Sequence, residues 1–257
     1  TVLMLGYMNK EHIKKELLLD KSASIAAGKV LTKKKKILNQ EIFSSNKDVK
    51  LNADIEAENL IKNIISKESN YPFLAEESGK SVEDLGDHYW IIDPLDGTAN
   101  YSRSIPISAV SISLMHNLEP LIGVIYDFNN SDMYEGSTVT SALLNDKQIK
   151  VSAVNQKDSG ILITGLPNKT DYSDKNLLMM IRDFQSWRKV RMIGSAAMAS
   201  VYVASGKADV YKEKKTYIWD IAAGAAIVKA AGGHVSISNQ NSDFQVDVFF
   251  SNGNILE

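Results

Sequence analysis

Asp93-Pro94-Leu95-Asp96-Gly97-Thr98 follows the apolar run Trp90-Ile91-Ile92 and places two carboxylates three positions apart. The run has the texture of a buried strand, and uncompensated negative charge at the end of such a strand is costly. A divalent cation removes that cost, and a set of hard oxygen ligands selects Mg2+-type ions. Gly97 lets the backbone approach a ligand closely, and the amides from Gly97 onward would face an anion at a helix start. The plain alternative is a tight turn, because Asp, Pro and Gly favour turns for local reasons. The apolar run ahead of the acids favours the metal reading.

Two further acidic sites stand beside apolar segments. Glu76-Glu77-Ser78-Gly79 follows Phe73-Leu74-Ala75. Glu76 lies closer to the apolar run and is the better ligand candidate, while Glu77 fits a solvated loop equally well. Trp219-Asp220 precedes the nearly all-apolar segment Ile221–Ala231. Asp220 suits a helix N-cap, and a cap on so apolar a helix is poorly solvated. Capping and metal binding are compatible, since each uses a different carboxylate oxygen.

Several motif matches fail on inspection. Gly79-Lys80-Ser81 resembles the end of a P-loop, but the glycine that motif needs at position 74 is leucine. Asp96-Gly97-Thr98 resembles phosphatases that form an aspartyl-phosphate, yet the nucleophile position is Pro94. No Gly-x-Ser-x-Gly elbow exists. His12, His88, His116 and His234 are scattered along the chain, none with a histidine at ligand spacing. Phosphate chemistry here therefore has to use water as its nucleophile.

These residues need elements to hold them. Asn9 can cap a helix on which Ile13, Leu17 and Leu18 recur at helical spacing, running past Ala27. Lys33 to Lys36 read as a solvated helix face or loop. A second helix is expected from about Asp54, with Ala57, Leu60, Ile61, Ile64 and Ile65 on its apolar face. Trp90–Ile92, Ala109–Leu114 and Leu121–Tyr126 read as strands separated by turn residues. Beyond Asp146, strands at 160–164, 189–193, 208–211, 234–238 and 246–251 alternate with helices at 175–184, 195–204 and 221–231, the last stopped by Gly232-Gly233. That alternation implies an α/β second half. We expect an α+β half over residues 1–145 carrying the acidic motifs and an α/β half over residues 146–257.

Composition narrows the classes. A chain of 257 residues, 44% hydrophobic and 23% charged, can bury a large core. The net charge of -2 gives no global attraction to nucleic acid or anionic membrane. Binding nucleic acid through the lysine runs is disfavoured further by the lack of interleaved aromatics. No apolar run reaches the ~18 residues of a membrane span. Val2 to Met8 shows no basic leader. Zero cysteines exclude disulfides, thiol nucleophiles and cysteine metal sites. A cytoplasmic enzyme is expected, and the glycosylation-like triplets at Asn129 and Asn168 carry no weight.

The segment Trp90-Ile91-Ile92-Asp93-Pro94-Leu95-Asp96-Gly97-Thr98-Ala99-Asn100-Tyr101 resembles the signature of the inositol monophosphatase family, which are magnesium-dependent, lithium-sensitive phosphomonoesterases. Glu76-Glu77-Ser78 and Trp219-Asp220-Ile221-Ala222-Ala223-Gly224 resemble its other hallmark motifs, in the family's order, and Asp54 matches a fourth acid. The resemblance spans about residues 10–254. It implies a layered αβαβα sandwich, α+β in the first half and α/β in the second. One ion would sit on Glu76, Asp93 and the Leu95 carbonyl, a second on Asp93, Asp96 and Asp220, and a third, weaker one on Glu76 and water. The ions would be Mg2+, with Mn2+ as an alternative and Li+ or Ca2+ inhibitory.

By the same resemblance, the Gly97 and Thr98 amides would hold phosphate, and Asp54 with the Thr98 hydroxyl would orient and deprotonate water. Gly194-Ser195-Ala196 and Glu213 would contact substrate hydroxyls, with Asp96 and Asp220 lining the same pocket. Ser195 replaces a family threonine, and the neighbours Lys212, Lys214 and Lys215 are unusual. That basic cluster is either a solvated loop or a site for a second anionic group. A homodimer is implied. Relatives with these motifs hydrolyse inositol phosphates, adenosine 3′,5′-bisphosphate, fructose 1,6-bisphosphate or histidinol phosphate. The Thr98-Ala99-Asn100-Tyr101 continuation favours inositol 1-phosphate. The reading from another class is a non-catalytic relative that binds metal or sugar phosphate.

Overall fold

The structure is a computed structural model and describes residues 8–44, 49–166 and 171–257. Residues 1–7, read as lacking a basic leader, and the Asn168 triplet fall outside those residues, while the Asn129 side chain donates to the Ser108 carbonyl at 3.1 Å. In chain order the first half comprises α1 (Lys10–Lys33), α2 (Lys35–Leu38), β1 (Glu41–Ser44), β2 (Val49–Leu51), α3 (Asn52–Ile65), β3 (Phe73–Ala75), β4 (Gly79–Lys80), β5 (His88–Asp96), α4 (Thr98–Ser102), β6 (Ala109–His116), β7 (Glu119–Asp127), β8 (Asp132–Ser137), β9 (Thr140–Leu144) and β10 (Lys147–Gln148). The remainder comprises β11 (Ile161–Thr164), α5 (Asp174–Gln185), β12 (Lys189–Arg191), α6 (Ala196–Ala204), β13 (Val210–Tyr217), α7 (Ile218–Ala230), β14 (His234–Ser238) and β15 (Gln245–Ser251).

Two main sheets organise the molecule. The first runs β10-β9-β8-β7-β6-β5-β3-β4 and is antiparallel apart from the parallel β3–β5 pair. The second runs β12-β11-β13-β15-β14, with β12, β11 and β13 parallel. α1 and α3 cover the outer face of the first sheet, and α6 and α7 lie between the sheets in contact with both. α5 lies beside the second sheet and lines a groove with Val248 and Phe249 of β15. The expected αβαβα sandwich is the fold observed. A β-carbon on Gly123 of β7 would sit 2.2 Å from the Ala223 carbonyl oxygen, so α7 rests directly on the sheet backbone.

Local chemistry sets the boundaries. Asn9 caps α1 by accepting the His12 amide at 2.8 Å, as expected. Leu18 was expected on the buried face, yet it is 66% exposed; Leu17 and Leu19 are buried with Glu16 and Asp20. The lysine run is partly tied down, with Lys34 paired to Glu56 and the Lys35 ammonium 4.6 Å from the Tyr101 ring centre. β5 does not stop at Asp93: its pairing with β6 is interrupted after Asp93 and resumes at Asp96 opposite Ala109. The two carboxylates thus flank a bulge within a strand, a device that re-aims side chains.

Three of the four histidines gather in space, while His234 lies on the second sheet. His88 and His116 face each other across β5 and β6 with ring centres 4.6 Å apart, and Tyr71 links them to His12. Sheet register joins residues that sequence spacing separates. No helix among the described residues is long and apolar enough to cross a membrane.

Candidate active site

Asp54 and Asp220 occupy the same place on different helices. Both are the third residue of their helix, and each accepts the amide of its capping residue: Leu51 N–H to Asp54 Oδ2 at 2.6 Å, and Tyr217 N–H to Asp220 Oδ2 at 3.0 Å. The N-cap expected at Asp220 is therefore Tyr217, and α7 starts three residues earlier than its apolar run. In both cases the backbone bond fixes the carboxylate at the mouth of a helix that faces the end of β5. The Thr216 hydroxyl adds a second bond to Asp220 Oδ2 at 2.8 Å.

β5 supplies the centre. Asp93 Oδ1 accepts the Leu95 amide at 3.0 Å, closing a short loop that carries the Leu95 carbonyl toward Thr98. The Thr98 hydroxyl lies 2.9 Å from that carbonyl and 3.1 Å from Asp54 Oδ1, so its single proton has two acceptors. Gly97 between them has φ +84°, and a β-carbon there would lie 2.7 Å from the Ile107 carbonyl oxygen. Both the backbone angle and the space require glycine. Asp96, buried beside it, accepts the Ser195 hydroxyl and the Ala196 and Ala197 amides, the latter two at 3.3 and 3.0 Å. The first turn of α6 is thereby anchored to β5 across 100 residues of sequence.

The electrostatics of this cluster fit a cation. One oxygen from each of Asp93, Asp96 and Asp220 lies within 4.8 Å of the others. Glu76 joins the cluster, and its charge acts on Asp93. Burial drives both well above the usual carboxylate range, and their neighbouring acids add to the shift. Burial pushes Asp96 up to about 7 with the charge of Asp220 adding, against its bonds from Ser195, Ala197 and Ala196. Asp54 likewise rises to about 7 through burial, opposed by the Leu51 amide. A buried set of hard oxygens that repel each other is what a hard divalent ion relieves. Glu77 stands apart: its carboxylate pairs with Lys50 at 3.1 Å and its amide donates to Glu58, so it is not a solvated loop residue.

A cavity of about 450 Å3 opens from these acids, lined by Asp96, Asn100, Gly194, Ser195, Ala196 and Glu213 among others. Asp54, Glu76, Asp93, Asp96 and Asp220 thus gather at one place, with Asp96 and Asp220 lining the cavity and the hydroxyl-contact candidates forming its wall. The three lysines around Glu213 do not. Lys212 pairs with Asp183 of α5 at 2.7 Å, Lys214 is exposed beside the groove under α5, and none of the three lines this cavity. Three contributors went unrecognised as functional groups in the sequence. Asn100 donates to the carbonyls of Ile107, Ile193 and Gly194 at 2.9, 2.8 and 3.2 Å, joining α4 to the Gly194 turn. Thr216 braces Asp220, and Tyr211 donates to Glu213 Oε2 at 3.1 Å. Asn100 alone had a signal, its place within the motif.

Residues 14–256 match the inositol monophosphatase family. The chain belongs to that family. An inositol-1-monophosphatase of Synechocystis is 37% identical over 191 residues, 74% of this chain and 67% of the relative. A protein of Xylella fastidiosa named Nus factor SuhB is 36% identical, covering 76% of this chain and 70% of its own length. The solved inositol monophosphatase of Anabaena (Nostoc) superposes with a TM-score of 0.82 at 31% identity, over 94% of this chain and 92% of the other. The extragenic suppressor protein suhB of Bartonella henselae gives 0.83 at 31% identity, over 93% and 95%. Membership makes the chain a phosphatase of a metal-dependent family, with the Asp93–Asp96–Asp220 cluster able to hold a metal.

Proposed function

We propose that the protein hydrolyses a phosphate monoester of a polyol, inositol 1-phosphate first, with Mg2+ and water. The observation that carries the choice of substrate is the charge of the cavity. Among its described lining residues there is no lysine or arginine, while Asp96, Asp220 and Glu213 are acidic and Thr164, Ser195, Tyr211 and Thr216 carry hydroxyls. Such a wall suits hydroxyl groups and lacks the cations that a second phosphate of adenosine 3′,5′-bisphosphate or fructose 1,6-bisphosphate would call for.

Glu76, Asp93, the Leu95 carbonyl, Asp96 and Asp220 are the residues proposed to hold Mg2+. When bound, the ions supply Lewis-acid charge for the phosphoryl oxygens and the departing alkoxide and acidify water. The protein's own part is positioning and proton transfer. Thr98, held between Asp54 Oδ1 and the Leu95 carbonyl, orients a water through its hydroxyl oxygen. Asp54, whose proton affinity is tuned to about 7 and whose other oxygen is fixed by Leu51, takes the proton. The Gly97 and Thr98 amides contact the phosphate. Gly194, Ser195, Ala196 and Glu213 face the leaving alcohol. The cytoplasm as location, from the cysteine-free composition, and a homodimer as assembly, from the family resemblance, belong to the same proposal.

The test is phosphate release by the purified protein with Mg2+ on a panel of inositol 1-phosphate, adenosine 3′,5′-bisphosphate and fructose 1,6-bisphosphate. The highest kcat/KM is expected for inositol 1-phosphate. Faster turnover of either bisphosphate overturns the substrate, and no release from any of them turns the reading to a non-catalytic binding relative.

A further inference from the structure

We infer that Gly165 and Tyr211 form a seat that positions the Glu213 carboxylate, and thereby decide whether the pocket recognises a polyol. The inference rests on Glu213 contacting the alcohol's hydroxyls, as proposed above. β11 and β13 are parallel neighbours with Thr164 opposite Lys212, so the residue after β11 arrives beside Glu213. A β-carbon built on Gly165 would lie 2.3 Å from Glu213 Oε1 and 2.4 Å from both Cδ and Oε2. The carboxylate occupies the place of a side chain at position 165.

The backbone does not ask for this glycine. Gly165 is absent from the glycines with left-handed φ, so an alanine could adopt its conformation without strain. Only the carboxylate excludes a side chain. Because the obstacle is the tip of a flexible side chain, substitution moves the carboxylate rather than the fold. On the other side, buried Tyr211 donates its hydroxyl to Oε2 at 3.1 Å. Glycine below and tyrosine beside leave the carboxylate one position. That position is a partition: the catalytic cavity and a second one of about 530 Å3 beneath α5 share Thr164, Gly165, Leu166 and Glu213 as lining.

Steady-state kinetics on inositol 1-phosphate and on p-nitrophenyl phosphate, which offers no hydroxyls, test the seat. Gly165→Ala is expected to raise KM for inositol 1-phosphate about tenfold, the loss of one hydrogen bond to a charged group, with little change in kcat. Kinetics on p-nitrophenyl phosphate and the melting temperature should stay near wild type. Glu213→Ala should likewise raise KM for inositol 1-phosphate, and the double variant should match Glu213→Ala alone, because residues acting through one group are not additive. Tyr211→Phe should shift KM in the same direction by a smaller factor. If Glu213→Ala leaves KM for inositol 1-phosphate unchanged, the hydroxyl-contact reading fails and the seat with it. If Glu213→Ala raises KM while Gly165→Ala does not, or adds fully in the double variant, the seat is overturned and the reading of Glu213 stands. An unchanged KM in Tyr211→Phe removes Tyr211 from it.

Discussion

Asp54 and Asp220 each give one oxygen to the backbone of their own helix, and this fixes two carboxylates in space at little entropic cost. An aspartate at the third position of a helix is short enough to reach back to the capping amide and stiff enough to stay there. For Asp54 the same geometry leaves Oδ1 on the Thr98 hydroxyl at 3.1 Å. Asp54→Asn keeps the shape and one acceptor oxygen, for the Leu51 amide, but removes the base. We expect kcat to fall about 10²–10⁴-fold, the range for loss of a positioned general base. Circular dichroism should be unchanged, and wild-type kcat in this variant would dismiss Asp54 as the proton acceptor.

At the scale of elements, α1 carries an unexpected burden. Its buried face includes Glu16 and Asp20 among leucines and alanines, and Asp20 Oδ2 and Glu16 Oε2 have no hydrogen-bond partner among the described residues. Burial holds the Asp20 carboxyl well above its ordinary value of 3.8, with Glu135 and Glu16 adding to the shift and the Ser24 hydroxyl opposing it. The folded state therefore keeps a proton that the unfolded chain releases. Stability from this group is complete below about pH 4 and declines as pH rises toward the folded pKa. Asp20→Asn removes that decline while keeping an acceptor for Ser24. Its melting temperature should equal wild type near pH 4 and exceed it near pH 7.5, by about 2–4 °C for each kcal/mol recovered at this chain length. Equal melting temperatures at pH 7.5 would show that Asp20 is solvated or neutralised by another group. Sequence periodicity predicted the helix and its cap correctly, but placed Leu18 on the inner face. A helix pressed on two layers buries a stripe whose centre depends on its neighbours, which 3.6-residue spacing does not locate.

At the scale of the whole molecule, the acids come from separate elements: Asp54 from α3, Glu76 from the end of β3, Asp93 and Asp96 from β5, and Asp220 from α7. An ion held by Glu76, Asp93, Asp96 and Asp220 would tie the first sheet to the middle helix layer. Chelation with EDTA should lower the melting temperature, and Mg2+ at about 100 times its Kd should return about 2.7 kcal/mol of stability. Asp93→Asn should abolish that Mg2+ response. In EDTA it should melt above wild type, since an amide cannot ionise, whereas the metal-free fold opposes ionisation of the Asp93 carboxyl. A Mg2+ response that survives Asp93→Asn would place the ion elsewhere.

Much of this site was legible in the chain itself. Buried carboxylates next to apolar strands are conspicuous because they are expensive, and the order of Glu76, Asp93, Asp96 and Asp220 in their motifs led to the family. β8 and β9 were not legible: Asp132-Met133-Tyr134-Glu135-Gly136-Ser137 has no apolar run, and its strand character comes from pairing with β7. The lysines around Glu213 were undecided for a similar reason. Their charges are local, but whether they face a ligand depends on Asp183, 29 residues from Lys212, and on which cavity each lines. By itself the sequence pointed to phosphate chemistry in a metal-dependent family, because residue type sets what a group can do. Tertiary structure alone decided which groups share a cavity, which oxygens are already committed to backbone amides, and that Gly165 exists to make room for Glu213. Those are matters of distance between chain segments, and distance is set by packing.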